Sequence, residues 1–351
     1  MTSEEDIIPI RSAHCFDEKA LADYLKTELE GFKGELAIRQ FGHGQSNPSF
    51  LLSAGSNKYV LRKKPPGKLL PSAHAVDREY RVLKALTDTA VPVPETYLLC
   101  RDDAVIGTAF YVMEFVEGRI FREPTAPQVQ DAGERSAIFD AMNDTLAKIH
   151  KVDWKALGLT DFGKPGNYMA RQVGRWTRQY ESSKTDDIES MDNLITWMGE
   201  HIPSDDATTI VHGDFRLENM IIHPTEPHVL AVLDWELSTL GHPLADLAYN
   251  CMTYHIPDIG GRTAGYDGLD LEALGIPREA DYIAAYCDRT SRDDIPDWQF
   301  FIAFSMFRLA AIVQGVYKRG LDGIASSAKA TSYGDYVRFL SDVAWRIVSD
   351  A

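Results

Sequence analysis

The sequence predicts an α+β fold of two lobes, a small antiparallel-sheet lobe over residues 1–117 and a larger, mainly helical lobe over residues 118–351. Three observations lead there. At 351 residues the chain exceeds a typical single domain. From Leu36 the apolar pattern moves towards a period of two, interrupted by one helical segment at His74–Leu86, and it is mostly helical beyond Gly118. Between the two regimes, the apolar run Phe110–Val116 closes on Glu117-Gly118, as a hinge between a sheet lobe and a helical lobe requires.

With 44% hydrophobic and 25% charged residues, the chain can bury a sizeable core. Its formal net charge of -16 argues against general affinity for nucleic acid or an anionic membrane. Such a field attracts cations, and an anionic substrate needs a local basic patch to receive it. The four cysteines lack Cys-x-x-Cys spacing and no His-Glu-x-x-His occurs, so no zinc site is suggested and the thiols are expected to be reduced. The acidic start Met1-Thr2-Ser3-Glu4-Glu5-Asp6 is no signal peptide, and a cytoplasmic location is expected. Arg308 and Gln314 interrupt the longest apolar stretch, Phe300 to Tyr317, which fits a buried helix better than a membrane span.

Taken in order, Leu21, Tyr24, Leu25 and Leu29 recur at helical spacing in an amphipathic lead-in helix. Strands follow around Leu36–Ile38 and Phe50–Leu52, joined by the turn-rich segment Phe41 to Ser49. Gly42 and Gly44 in that segment, with Ser46 and Asn47, allow backbone N–H groups to close over a polyphosphate, since no Cβ blocks the approach. A plain hairpin explains the same residues. The strand Lys58–Lys64 places Val60 and Arg62 on one face, Leu61 and Lys63 on the other. Val76, Tyr80, Leu83 and Leu86 mark a helix that carries Glu79. An extended run to Cys100 turns at Arg101-Asp102-Asp103 into Phe110–Gly118.

In the second lobe, Ala141 to His150 is helical, and Asp161-Phe162-Gly163 with Lys164-Pro165-Gly166 reads as a turn. Arg171, Arg175 and Arg178 share one face of a helix over Met169–Tyr180. They form either a patch for an anionic part of a substrate or a solvated face. Ser182 to Asp187 reads as an exposed loop, Met191–His201 as a helix, Phe300–Tyr317 as a central helix and Tyr333–Val348 as a closing one.

The chemistry concentrates between Val211 and Glu236. A short strand, Ile210-Val211, delivers His212-Gly213-Asp214 into a loop, and Asn219 follows five residues after the aspartate. Two short strands then return the chain to Asp234, with Glu236 on the same face. An acid, an amide and a second acid past a hairpin are the layout a kinase uses to hold metal-bound ATP. Asp214 is placed to take the proton of an attacking hydroxyl, and Asn219 and Asp234 offer hard oxygen ligands to Mg2+. Arg216 can stabilise charge on the transferred phosphoryl group. Arg62 then points at the phosphates and can pair with Glu79; a solvated basic strand end and a surface acid are the competing readings. Glu114 through its C=O and Val116 through its N–H can hold the adenine, with Met113 behind them. The triplet Asp161-Phe162-Gly163 spells a kinase metal motif but precedes Asp214 by about fifty residues, on the wrong side of the catalytic loop.

His212-Gly213-Asp214-(x)4-Asn219, Leu233-Asp234-Trp235-Glu236 and Gly241-His242-Pro243-Leu244-Ala245-Asp246-Leu247-Ala248 together resemble the aminoglycoside phosphotransferase family, similar in fold to protein kinases and including choline and homoserine kinases. The resemblance spans roughly Phe41 to Arg319. It implies Asp214 as base, Asn219 and Asp234 as Mg2+ ligands, and Asp246 as a structural acid holding the catalytic loop. Tyr59 to Leu70 and Val211 to Asn219 look most like the phosphotransferase domain fused ahead of certain acyl-CoA dehydrogenases. That likeness implies the hydroxyl of a 4-hydroxyacyl-CoA as acceptor. Because the chain ends at Ala351, a separate acyl-CoA-dehydrogenase-like enzyme is the expected partner. Two alternatives stand beside this reading: an aminoglycoside or other amino-alcohol kinase, suited to the acidic balance, and a nucleotide-binding pseudokinase scaffold.

Overall fold

The structure, a computed structural model, describes residues 7–42, 47–65, 75–258, 264–324 and 330–350. Strands β1 (Ile7–Ile8), β2 (Leu36–Phe41), β3 (Ser49–Ala54), β4 (Asn57–Lys63), β5 (Thr96–Cys100) and β6 (Phe110–Glu114) form one antiparallel sheet in the order β1-β2-β3-β4-β6-β5. Side-chain alternation gives the sheet two apolar faces. Phe50, Leu52, Leu61, Phe110 and Val112 pack beneath helix α1 (Glu18–Glu28), whose first turn is capped by Asp17. Val60, Tyr111 and Met113 point the other way, into a core shared with helix α2 (Val76–Leu86) and the second lobe.

The turn expected at Arg101-Asp102-Asp103 contains a single helical turn, α3 (Asp103–Ile106), capped by Asp102 and ended by Gly107 at φ +84°. Gly118, beyond β6, is required by a close approach. A Cβ there would meet Ile222 O at 2.5 Å, because Arg119 and Ile222 exchange backbone hydrogen bonds of 2.7 and 2.8 Å. This bridge ties the connection between the lobes to the hairpin that follows Asn219.

The helical lobe comprises α4 (Ala132–His150), α5 (Tyr168–Ser183), α6 (Glu189–Glu200), α7 (Pro243–Cys251), α8 (Leu271–Leu274), α9 (Glu279–Thr290), α10 (Trp298–Leu321) and α11 (Gly334–Ser349). Two small ribbons lie against it, β8 (Met220–Ile222) with β9 (Val229–Val232), and β7 (Thr209–Val211) with β10 (Thr239–Gly241). The β7–β10 pairing goes beyond what the sequence pattern indicates. It ends at Gly241, where a Cβ would run into the Tyr168 ring at 2.7 Å.

By length and composition α10 could cross a membrane, but 67% of its most apolar window is buried, and it packs against α5, α6, α7 and α11. It is the central helix of the lobe. Its two polar interruptions have structural uses: Gln314 donates to Ser183 O at 2.8 Å, and Arg308 donates to Gly213 O at 2.6 Å. The expected loop at Ser182–Asp187 begins two residues later, since α5 continues to Ser183. Asp161-Phe162-Gly163 is a packed turn. Phe162 is fully buried with the Arg78 guanidinium 4.4 Å over its ring, and the exposed Asp161 pairs with Arg81.

Candidate active site

Beyond β7 the chain enters the loop His212–Asn219, in which His212, Asp214 and Asn219 are tied together by hydrogen bonds. His212 is fully buried; its Nε2 lies 2.9 Å from Leu233 O and must donate, so Nδ1 accepts from Asp214 N at 3.2 Å. One imidazole thereby couples the loop His212–Asn219 to the segment before Asp234. Asn219 N–H caps a short 3-10 turn on Arg216 O at 3.0 Å, and Asn219 O accepts from Leu233 N at 2.8 Å. The Asn219 amide NH2 donates at 2.9 Å to both Asp214 O and Asp214 Oδ2. That orientation turns the amide oxygen away from Asp214, leaving it as a ligand for a hard cation.

Asp234 sits at φ +65°, ψ +53°, a left-handed conformation that costs about 1 kcal/mol or more for a residue with a side chain. The turn that follows is anchored by Trp235, which is buried and donates Nε1–H to Val232 O at 2.9 Å. The turn projects Asp234 into the cleft, where Arg62 NH2 meets its Oδ1 at 2.8 Å.

Arg62 collects three carboxylates: Glu79 at 3.2 Å, Asp234 at 2.8 Å and Glu236 at 3.9 Å. Burial pushes the Glu79 carboxyl up to about 7 against the pull of Arg62, with Asp234 and Glu236 adding to the rise. One guanidinium among three acids leaves a deficit of positive charge when all are ionised. The Asp234 carboxylate and the Asn219 amide oxygen therefore fit a divalent cation, in both charge and donor hardness.

Asn47, expected in the phosphate loop, is buried and donates Nδ2–H to Glu236 at 3.1 Å. Gly42 accepts from Arg11 through its C=O, whereas Gly44 and Ser46 lie outside the described residues. Glu114 ends β6; its N–H donates to Glu95 O at 2.8 Å and its carboxylate accepts from Glu95 N at 3.2 Å. Val116 lies two residues on, in the connection between the lobes, and Met113 is buried.

Arg216 pairs with Glu218 at 2.8 Å and faces Tyr249. The arginine stripe divides. Arg171 folds back onto the carbonyls of Lys164 and Gly166 and holds that turn, so it is not a free cation for substrate. Arg175 and Arg178 are exposed, and Arg175 lies 5.4 Å over the Trp176 ring.

Two residues near the Gly213-Asp214 segment escape sequence reasoning. Tyr249, three residues after Asp246 on α7, faces the Asp214 carboxylate. Arg308, from α10, lies 5.0 Å over the Tyr249 ring and 5.5 Å over that of Trp176. The one sequence signal is an arginine inside an otherwise apolar helix.

Asp246 is 2% exposed and accepts the backbone N–H of Gly213 at 2.8 Å and that of His212 at 2.5 Å, with His150 Nε2 3.5 Å away. Burial opposes its charge, yet His150, His212 and the backbone donors hold its carboxyl below the ordinary range. Its contribution to stability is present above the unfolded value near 3.8 and is lost as pH falls through the lower folded value. Asp246→Ala would orphan two buried N–H groups and is expected to cost roughly 3–5 kcal/mol. Denaturant unfolding at neutral pH checks this, and a loss under about 1 kcal/mol would contradict it.

A separate group, His223, Glu226 and His228, offers three potential metal-ligand atoms within 4.8 Å of one another. His223 Nδ1 accepts from Thr225 N and Glu226 N, which makes this ring the cap of the β8–β9 turn.

The sequence profile of the phosphotransferase enzyme family (APH) matches residues 37–291. Mouse acyl-CoA dehydrogenase family member 10 is 47% identical over 338 residues, covering 96% of this chain but 32% of its own length. The chain thus spans about a third of that relative, whose name points to a dehydrogenase segment fused in the same polypeptide rather than to a separate partner. A Ralstonia eutropha protein provisionally described as an aminoglycoside phosphotransferase has a crystal structure matching with a TM-score of 0.87 and 50% identity, covering 96% of this chain and 99% of that one. The aminoglycoside phosphotransferase APH(4)-Ia, solved with AMP-PNP and hygromycin B, shares the fold at 14% identity and a TM-score of 0.60, covering 95% of this chain and 99% of that one. With the family profile spanning most of its length and a half-identical neighbour covered almost end to end, this chain belongs to the APH phosphotransferase enzyme family.

Proposed function

We propose that the protein is an ATP- and Mg2+-dependent small-molecule kinase that phosphorylates a hydroxyl, with a 4-hydroxyacyl-CoA as the favoured acceptor. The observation that carries the reading is that Asn219 bonds the Asp214 carboxylate and accepts from Leu233 beside Asp234, while Arg62, paired with Glu79, reaches Asp234. Bound Mg2+–ATP supplies the phosphoryl group and offsets the charge that develops on it. Asn219 and Asp234 would hold the cation, and Arg62 would hold phosphate oxygens. Asp214, fixed by Asn219, accepts the acceptor's proton as its oxygen bonds to the γ-phosphorus and the bond to ADP breaks. Arg216 is near enough to Asp214 to stabilise the developing charge.

The surroundings of Asp214 bear on the acceptor. Arg216 and Tyr249 act on Asp214, Arg308 bonds the neighbouring Gly213 carbonyl and lies over the Tyr249 ring, and Arg175 and Arg308 both lie over the Trp176 ring. Cations and aromatic rings suit an anionic or thioester-bearing acceptor and disfavour a polycation. The kinship with acyl-CoA dehydrogenase family members supports the same acceptor class, and a dehydrogenase-like activity, fused or separate, would follow in sequence. The second reading, an aminoglycoside or amino-alcohol kinase, draws on the provisional description of the Ralstonia protein. An acceptor panel read by ADP release separates them. Turnover is expected with 4-hydroxyacyl-CoAs above free hydroxy acids; turnover with aminoglycosides and with no acyl-CoA would overturn the proposal.

A further inference from the structure

We infer that Arg308 and Tyr249 are positioning residues for Asp214, through which the central helix α10 sets the geometry of the catalytic loop. The inference rests on the proposed role of Asp214 as base.

Arg308 is the cation of an otherwise apolar stretch of α10, flanked by Phe307 and Leu309. A charge in such a place is costly unless it is partnered. Among the described residues its partners are two aromatic faces, Trp176 and Tyr249, and the Gly213 carbonyl, which accepts from its NH2 at 2.6 Å. Gly213 stands at φ +84° and could not carry a side chain, since a Cβ would lie 2.8 Å from Leu237 O. Its N–H donates to Asp246 and its C=O accepts from Arg308, so both polar atoms of the residue before the base are held from opposite helices, α7 and α10.

The same two helices bound the side chain of the base. Tyr249 lies one helical turn from Asp246 on α7, is buried to 6% exposure, and holds its ring 5.0 Å from the Arg308 guanidinium, with Asp214 among the charged groups acting on its phenol. Burial and the neighbouring Asp214 push the phenol well above its ordinary range, so at neutral pH it is a donor. With Asn219 on Oδ2 and Tyr249 alongside, the rotation of the carboxylate is restricted. Displacing a reacting group by about 1 Å can cost roughly 100-fold in rate. A guanidinium gripping the backbone and a phenol beside the carboxylate would prevent such a displacement.

The test uses the full chain and three variants. Tyr249→Phe keeps the ring under Arg308 and removes only the hydroxyl; Arg308→Met keeps the packing length and removes the grip on Gly213; the third variant combines them. In the reaction found by the acceptor panel, each single variant is expected to lower kcat by about 10–100-fold, with KM for ATP within about twofold. The double variant should fall short of the product of the single effects, as residues acting on one group do. Hydrogen–deuterium exchange of the segment 212–219, measured with no acceptor, should be at least about tenfold faster in Arg308→Met, with the rest of the chain unchanged. Unchanged kcat in both single variants, or unchanged exchange in this segment, would overturn the inference. If the wild-type protein turned over no acceptor at all, the proposed kinase function would fail instead, and the exchange measurement alone would decide the positioning role.

Discussion

Replacing Asp214 with asparagine is expected to lower kcat by roughly 10²–10⁴-fold, the range that a positioned general base supplies. The substitution is nearly isosteric, and the new amide can still accept from Asn219 Nδ2, which lies 2.9 Å from Asp214 Oδ2. The loop also keeps its remaining supports, Asp246 on Gly213 N and Arg308 on Gly213 O. Thermal stability and affinity for a non-hydrolysable ATP analogue should therefore stay close to those of the wild type. Calorimetric titration with AMP-PNP and a melting curve separate loss of the base from loss of the fold. Activity within about threefold of wild type would mean that proton removal by Asp214 is not part of the rate.

The second large effect is expected at Asp234. Asparagine tolerates the left-handed backbone that this position adopts at φ +65°, so Asp234→Asn should fold. It removes the charge facing the expected cation and leaves Arg62 paired with Glu79 and Glu236 alone. The Mg2+ concentration for half-maximal activity should rise by about 10–100-fold and kcat should fall by at least about 100-fold, because metal-bound charge stabilisation contributes several kcal/mol. Asp234→Val serves as a contrast. A β-branched side chain at positive φ adds backbone strain and should lower the melting temperature, which Asp234→Asn should not. An unchanged Mg2+ requirement in Asp234→Asn would remove Asp234 from the metal site.

Much of this arrangement is legible in the sequence because it depends on spacing. Five residues from Asp214 to Asn219 form a tight loop, and the following hairpin must return Asp234 to it. Alternation along β4 sends Val60 and Arg62 to one face, whereas Glu79, which reads equally as a surface acid, is shown to be buried on α2 by the structure. Leu61 and Val60 do fall in separate apolar clusters on opposite faces of the sheet.

What spacing does not encode is the company a side chain keeps in three dimensions. Arg171 shares a helix face with Arg175 and Arg178, yet the carbonyls of the turn at Lys164–Gly166 capture it, and those belong to a preceding segment whose approach no helical period reveals. Tyr249 resembles any core tyrosine of an apolar helix until α10 brings Arg308 above it. Asn47 reads as a phosphate-loop residue, but its amide reaches across 189 positions to Glu236. Gly118 reads as the end of a strand, while its absent side chain makes room for Ile222. Each of these depends on a long-range approach that local pattern leaves undetermined.

The most direct test of the central claim follows the phosphoryl group itself. With ATP labelled at the γ-phosphate, Mg2+ and a 4-hydroxyacyl-CoA, the wild-type protein should move the label onto the acceptor oxygen. The transfer should stop on chelation of the cation and in Asp214→Asn. Label that reaches no hydroxyl acceptor of the panel, or that is transferred equally well by Asp214→Asn, would contradict the account.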